Sequence, residues 1–165
     1  MHITNPFANP EKIIGICGGG QLGKMLCEAA SAWDWKTAVL DQSPDDPAAR
    51  LAHKFVQGDF TKYEDVLNFG KQVDVLTIEI EKVNLEALIE LEKMGKIVHP
   101  SPRALGIIKD KALQKQFFID QGLPTVPQEL FDTKADVLKA IESGFLQIPF
   151  VQKLRTDGYD GRGVA

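Results

Sequence analysis

Residues 13–25, Ile-Ile-Gly-Ile-Cys-Gly-Gly-Gly-Gln-Leu-Gly-Lys-Met, constrain the fold of this chain more than any other stretch. A short apolar run rich in isoleucine enters three consecutive glycines. An apolar series at helical spacing then leaves them: Leu22, Met25, Leu26, Ala29, Ala30 and Trp33. Buried strand, tight turn and helix N-terminus together open a βαβ unit, so the pattern predicts an α/β fold with a Rossmann-like parallel sheet. Gly18, Gly20 and Gly23 fit G-x-G-x-x-G, in which missing side chains let backbone approach a phosphate and let the helix pack close to the strand. The free N–H groups and the positive dipole end of the first helical turn favour an anion there. By itself the motif fits either a phosphate-bearing ligand or a tight βα turn with none.

The strands that follow extend the alternation. Residues 36–41 read as a second strand ending in Asp41, and 54–57 as a third. An acid about 20 residues beyond the glycines can hold the ribose of NAD; Asp41 equally well opens the turn of Gln42-Ser43-Pro44-Asp45-Asp46-Pro47. Thr61-x-x-Glu64 has capping-box spacing and predicts a helix through Lys71. Val73–Ile78 is a buried-strand run followed at once by Glu79 and Glu81. Carboxylates just past the C-terminal end of a parallel strand lie where open α/β sheets bind ligands, and alternation puts both on one side if the strand continues. Asn84 caps a helix whose core face is Leu85, Leu88, Ile89 and Leu91; residues 97–99 form a fifth strand. Residues 103–121 read as one helix carrying Lys109, Lys111 and Lys115, closed by Gly122.

The prolines at 124 and 127 mark a linker. Beyond it the pattern predicts a strand at 128–131, a helix capped by Thr133-x-x-Asp136 and ending near Gly144, and a strand at 148–153. The expected organisation is a Rossmann-like domain at 1–100, a linking helix and linker at 101–125, and an incomplete second subdomain at 126–165. The last strand presents Lys153 and enters Leu154-Arg155-Thr156-Asp157-Gly158-Tyr159-Asp160-Gly161-Arg162-Gly163-Val164. A glycine-rich loop with lysine and arginine beside it suits a polyphosphate, because backbone N–H groups contact the oxygens while the cations neutralise them.

Charge and composition narrow the partners. A net charge of -4 and a pI near 5.4 argue against nucleic acid. No apolar run reaches the ~20 residues needed to span a bilayer, and Met1–Pro6 lacks the regions of a signal peptide, so the expected setting is cytoplasmic with no membrane partner. Cys17 and Cys27 lack metal or CxxC spacing and read as buried free thiols; His2, His53 and His99 read as structural.

Six stretches resemble one family, in order along nearly the whole chain. They are Gly-Gly-Gly-Gln-Leu-Gly-Lys-Met at 18–25, Leu-Asp-Gln-Ser-Pro-Asp-Asp-Pro-Ala-Ala at 40–49, Thr-Ile-Glu-Ile-Glu-Lys-Val at 77–83, His-Pro-Ser-Pro at 99–102, Lys-Asp-Lys-Ala-Leu-Gln-Lys at 109–115 and Gly-Tyr-Asp-Gly-Arg-Gly at 158–163. They are similar to the 5-(carboxyamino)imidazole ribonucleotide synthases, the ATPase subunit of phosphoribosylaminoimidazole carboxylase, in the ATP-grasp superfamily. The resemblance implies a pre-ATP-grasp domain followed by the start of an ATP-grasp α+β subdomain. It also implies ATP-dependent carboxylation of 5-aminoimidazole ribonucleotide by bicarbonate, through carboxyphosphate, in purine biosynthesis.

The same resemblance implies roles for residues. Lys111, Lys153 and the backbone of 158–164, including Gly158, Gly161 and Gly163, contact ATP. Tyr159, Asp160 and Arg162 act at the reacting centre, holding the ribonucleotide near the γ-phosphate. Gly20, Gln21, Leu22 and Glu79 line the ribonucleotide's side, the glycine turn serves its monophosphate, and Asp41 loses the NAD role. Family members often carry glycine where Asp157 stands and glutamine where Val164 stands. The family is much longer, and its adenine-binding strand and acidic Mg2+ ligands have no counterpart in these residues. The expectation is therefore an N-terminal fragment, inactive alone and homodimeric when full length. Two other enzymes fit parts of the pattern: another ATP-grasp ribonucleotide ligase or formyltransferase, and an NAD-dependent Rossmann oxidoreductase built on Gly18, Gly20, Gly23 and Asp41.

Overall fold

The computed structural model describes residues 11–156, 158, 163 and 164. The chain divides into two compact units, Met1–Gly106 and Ile107–Ala165. The first alternates strand and helix: β1 (Ile13–Cys17), α1 (Gln21–Ser31), β2 (Lys36–Asp41), β3 (Lys54–Gln57), α2 (Tyr63–Lys71), β4 (Val75–Ile78), α3 (Leu85–Lys93) and β5 (Ile97–His99). Its five strands run in the order β3-β2-β1-β4-β5, every pair parallel. In register, Ile16 stands beside Val39 and Thr77, and Cys17 beside Leu40 and Ile78.

Side chains alternate across a parallel sheet, and both faces here are covered. Ile16 and Val39 meet Cys27 of α1 and Ala48 on one face. Cys17, Ala38, Leu40, Leu76 and Val98 meet α2 and α3 on the other, together with Leu105. Fully burying a leucine or phenylalanine contributes roughly 2 kcal/mol. The face holding Phe69, Leu88, Leu91 and Leu105 therefore dominates the unit's stability, since α1 brings only Cys27 and Gly23 to full burial.

That last point corrects the sequence reading of α1. Its apolar series does not pack into the core: Leu22 is 58%, Met25 53% and Trp33 79% exposed. The helix docks instead through Gly23, where a Cβ would fall on the carbonyl oxygen of Gly18. The capping box at Thr61 also fails. Thr61 Oγ1 donates to Asp59 Oδ1 at 2.6 Å, which leaves α2 with Lys62 at its N-cap and no side-chain cap. Asn84 does cap α3, accepting from Ala87 N at 2.9 Å, while Ile89 of that helix is exposed. Cys17 and Cys27 are free and buried. His53 Nδ1 accepts from Thr37 N, so it is structural; His99 is exposed on β5, and His2 lies outside the described residues.

The single helix expected over 103–121 is two: α4 (Pro102–Lys109), which crosses the division between the units, and α5 (Lys111–Asp120). They break at Asp110, whose backbone is extended at φ -119° and ψ 109° and whose Oδ1 accepts from Ala112 N and Leu113 N. A short carboxylate that satisfies two orphan N–H groups makes a better start to a new helix than a position inside one. The rest of the second unit contains α6 (Lys134–Glu142), capped by Thr133 as its sequence requires. The strands expected at 128–131 and 148–153 are not formed; only Lys153 pairs, in an isolated antiparallel bridge with Val164. Pro149 removes an N–H donor inside the second of these stretches.

Candidate functional site

In the first unit the glycine turn lies at the C-terminal edge of the sheet. Strand order reverses between β1 and β4, the switch point at which open α/β sheets bind ligands. Gly18 N donates to Leu40 O at 3.0 Å and Glu79 N donates to Cys17 O at 2.8 Å, so the turn and Glu79 are tied to the two strands beside them. Gly19 O accepts from Ala48 N at 2.9 Å, which pins the turn to the loop after β2. Gly20 is the N-cap of α1 and has no side chain with which to cap it.

Carboxylates of this unit fill the place where an anion was expected. Asp41 Oδ2 accepts from Gly19 N, and its Oδ1 accepts from Gln42 N at 2.7 Å. The Glu79 carboxylate oxygens lie against Gly18 and Gly20, and the Leu22 backbone in the first turn of α1 favours its charged form. The positive end of the helix is thus already matched by negative charge. Burial first, then the charges of Asp41 and Glu81, push the Glu79 carboxyl above its ordinary value of 4.5. Burial and then Asp41 raise Asp46 in the same way, and Cys17 beneath them is raised to about 12, by burial first and Asp41 second. A further anion among these acids meets repulsion; a hydroxyl donor meets acceptors. Asp46 was not visible as part of this group, because its Ser-Pro-Asp-Asp setting signals only a turn. Glu81 does not alternate with Glu79: β4 ends at Ile78 and the chain turns, leaving Glu81 exposed.

With both oxygens of Asp41 bonded to backbone N–H groups, the residue behaves as the turn-former of the two expected roles. Gly20, Gln21, Leu22 and Glu79 are together at the turn, with Gln21 and Leu22 exposed in the first turn of α1.

In the second unit the base of the glycine-rich loop is closed and anchored. Lys153 bridges Val164, and Leu154 N donates to Gly163 O at 2.8 Å. Gly163 has φ +72°, and a Cβ there would lie 2.7 Å from Leu154 Cδ1; glycine is required by conformation and by space. Lys111 Nζ donates to Gly158 O at 2.9 Å, and Lys111 N donates to Arg155 O at 3.0 Å. An ammonium has three donors, so the Gly158 bond leaves Lys111 capacity for an anionic ligand. Arg155 grips Asp110, with Nε at 2.9 and 2.8 Å from its two oxygens and Nη2 at 2.8 Å from Oδ2. The Arg155 hydrogen bond leads the causes that hold the Asp110 carboxyl below its ordinary range.

Lys111, Lys153 and Arg155 line one hollow of about 1360 Å³, together with Phe118, Phe150 and Leu154. Single small-molecule pockets occupy roughly 300–1,000 Å³, so this is an open groove wide enough for a nucleotide. Lys115 lines the same hollow and donates to Thr125 Oγ1 at 2.5 Å. Tyr159, Asp160, Gly161 and Arg162, expected at the reacting centre and on ATP, lie outside the described residues, as does Asp157. Sequence reasoning missed Asp110 and Arg155 as a pair.

Comparison with known proteins follows the same division. The ribonucleotide synthetase preATP-grasp domain family matches residues 11–109. A phosphoribosylaminoimidazole carboxylase of Candida glabrata is 41% identical over 157 residues, covering 92% of this chain and 27% of that protein. The crystal structure of an N5-carboxyaminoimidazole synthetase from Staphylococcus aureus complexed with ADP aligns with a TM-score of 0.85 at 34% identity, over 93% of this chain and 40% of that one. The N5-carboxyaminoimidazole synthase of Aspergillus clavatus, in complex with ADP and 5-aminoimidazole ribonucleotide, aligns with a TM-score of 0.80 at 32% identity, over the same shares. The chain thus spans about a quarter to two-fifths of the length of these relatives.

Proposed function

The chain belongs to the ribonucleotide synthetase preATP-grasp family, and from that premise we propose that it serves the ATP-dependent carboxylation of 5-aminoimidazole ribonucleotide in purine biosynthesis. The observation that carries this reading is the alignment of 93% of the chain with a structure holding both ADP and that ribonucleotide. Lys111 and Lys153, which line one hollow, supply charge a triphosphate needs. In the proposed reaction a bicarbonate oxygen attacks the γ-phosphorus of ATP, ADP leaves, and carboxyphosphate forms. The ribonucleotide's amine then takes the carboxyl group as phosphate leaves, giving the carboxyamino product. Such chemistry depends on positioning and on neutralised charge rather than on a covalent nucleophile.

The resemblance implies the roles of the residues. Lys111, Lys153 and the backbone of 158–164, with Gly158, Gly161 and Gly163, take the phosphates of ATP. Tyr159, Asp160 and Arg162 hold the ribonucleotide's amine near the γ-phosphate. The ring of Asp41, Asp46 and Glu79 opposes a phosphate at the glycine turn, so we assign to Glu79 and the backbone of Gly20, Gln21 and Leu22 the hydroxyl groups of the ribose instead. Mg2+ accompanies ATP in this reading. Among the described residues no group of His, Cys, Asp and Glu could hold a metal ion, and no step is assigned to one. Two buried free thiols suit a reducing, cytoplasmic compartment, and the active form is proposed to be a homodimer.

The test is ADP release by the full-length gene product with ribonucleotide and bicarbonate each supplied or withheld. Release that requires the ribonucleotide, with bicarbonate carbon found in the product, is the expected result. Untouched ATP, or turnover that ignores bicarbonate, overturns the reading.

A further inference from the structure

The polyphosphate reading of the second unit leaves one contact unexplained. Arg155 and Asp110 touch neither the neck bridge at Lys153 nor its closing bond at Leu154, yet they form the most complete ion pair among the described residues. The guanidinium reaches both carboxylate oxygens through Nε and one of them again through Nη2, at 2.8 to 2.9 Å. Asp110 is at the same time the N-cap of α5, with Oδ1 accepting from Ala112 N and Leu113 N. Its carboxylate side chain is only 16% exposed, against 57% for Arg155. The next residue, Lys111, spends its backbone N–H on Arg155 O and its ammonium on Gly158 O. One residue of the loop's entry is therefore held at both its side chain and its carbonyl by two consecutive residues of a helix start.

We propose that Asp110 and Arg155 are positioning residues, a clamp that sets the Lys111 ammonium against the entry of the glycine-rich loop and so fixes it for the triphosphate. This rests on the reading that the hollow binds ATP. A lone lysine on a flexible stem loses rotamer entropy when a ligand fixes it; a lysine whose backbone is tied to the loop it serves has lost part of that freedom beforehand, which is preorganisation. Arg155 suits the task because its planar fork fits a carboxylate through two parallel bonds, which lysine cannot reproduce.

Asp110→Asn separates the two tasks of Asp110, because asparagine caps a helix about as well as aspartate but cannot pair with a cation. In the full-length protein, Asp110→Asn and Arg155→Gln should each raise KM and Kd for MgATP about five-fold, the scale of one favourable, partly exposed ion pair. Both should leave kcat and the KM for the ribonucleotide within about two-fold, a split that general destabilisation does not produce. Arg155→Lys should fall between wild type and Arg155→Gln. The double variant Asp110→Asn/Arg155→Gln should be no worse than either single one, since both remove the same interaction. Lys93→Ala, which breaks the exposed pair with Glu90, should leave MgATP binding unchanged. Wild-type binding of MgATP that Asp110→Asn and Arg155→Gln leave unaltered, or losses that add in the double variant, overturns the clamp alone. Absence of MgATP binding by the wild type overturns the nucleotide reading and the clamp with it.

Discussion

Glu79→Gln should make the protein more stable and worse at binding the proposed ribonucleotide substrate, and the two effects come from the same geometry. Glu79 sits half-buried at the switch point, with Asp41 and Glu81 close enough to raise its carboxyl together with burial. The folded protein therefore holds this proton more tightly than the unfolded chain does. Stability falls with rising pH wherever the folded state binds more protons. The ionised form thus costs stability, beginning near the ordinary value of 4.5 and in full once pH passes the raised folded value. Glutamine keeps the shape of the side chain but removes the charge. The side chain is partly open to water and the Leu22 backbone already offsets some of the penalty, so the gain belongs near the low end of single-residue effects, about 0.5–1 kcal/mol, or about 3 °C in Tm.

The pH dependence separates charge from packing. The difference in Tm between Glu79→Gln and wild type should be largest at pH 7–8 and shrink to nothing toward pH 4, where glutamate too is protonated. At pH 7 the ribonucleotide should bind about ten-fold more weakly, the difference between a charged and a neutral acceptor for a hydroxyl. Differential scanning fluorimetry across pH, beside a ribonucleotide titration, measures both. A variant less stable than wild type at pH 7, or a stability difference independent of pH, would refute the electrostatic account of this site.

Gly23→Ala should cost about 3 kcal/mol or more, because its methyl group meets the Gly18 carbonyl, a backbone atom that cannot move without disturbing the turn; chemical denaturation of the first unit measures it. Gly163→Ala carries both a positive φ of +72° and a 2.7 Å clash with Leu154. It should weaken MgATP binding by about ten-fold or more while leaving the unfolding midpoint of the first unit unchanged, as strain of about 1–3 kcal/mol at one position requires. Cys17 and Cys27 are buried, and Cys17 is raised to about 12, so neither should react with a thiol reagent at pH 8 until denaturant is added, as a timed labelling assay followed by mass spectrometry would show.

The first unit was legible because a parallel sheet buried on both faces writes its strands as apolar runs. Ile13–Cys17, Lys36–Asp41 and Val75–Ile78 are such runs, and the turn glycines fix where the first one ends. The face of α1 was not legible. Periodicity reports that Leu22, Met25, Leu26 and Trp33 share a side, but which side meets the sheet is decided by Gly23, through a close approach no hydropathy pattern records. The break at Asp110 had a local signal, an aspartate followed by helix formers, and the helical periodicity on either side concealed it. Its pairing with Arg155 had none, because 45 residues separate them. Strands at 128–131 and 148–153 were over-read for a related reason. Extended residues become a strand only when a ladder accepts them, and the bridge at Lys153 is the one pairing formed there among the described residues.

The glycine turn shows where motif reading stops. Gly18, Gly20 and Gly23 specify a backbone that can present N–H groups at a helix start, and that much follows from their spacing. What such groups bind depends on charges brought from elsewhere in the sheet. Asp41 comes from the end of β2, 22 residues beyond Gly19, and Glu79 from the end of β4; both reach the turn only because β1 lies between those strands. Had either position carried a lysine, the same turn would welcome a phosphate. With acids there, Gly19 N is occupied and the crevice offers acceptors. The sheet order, more than the glycines, therefore decides that this turn suits hydroxyl donors over anions.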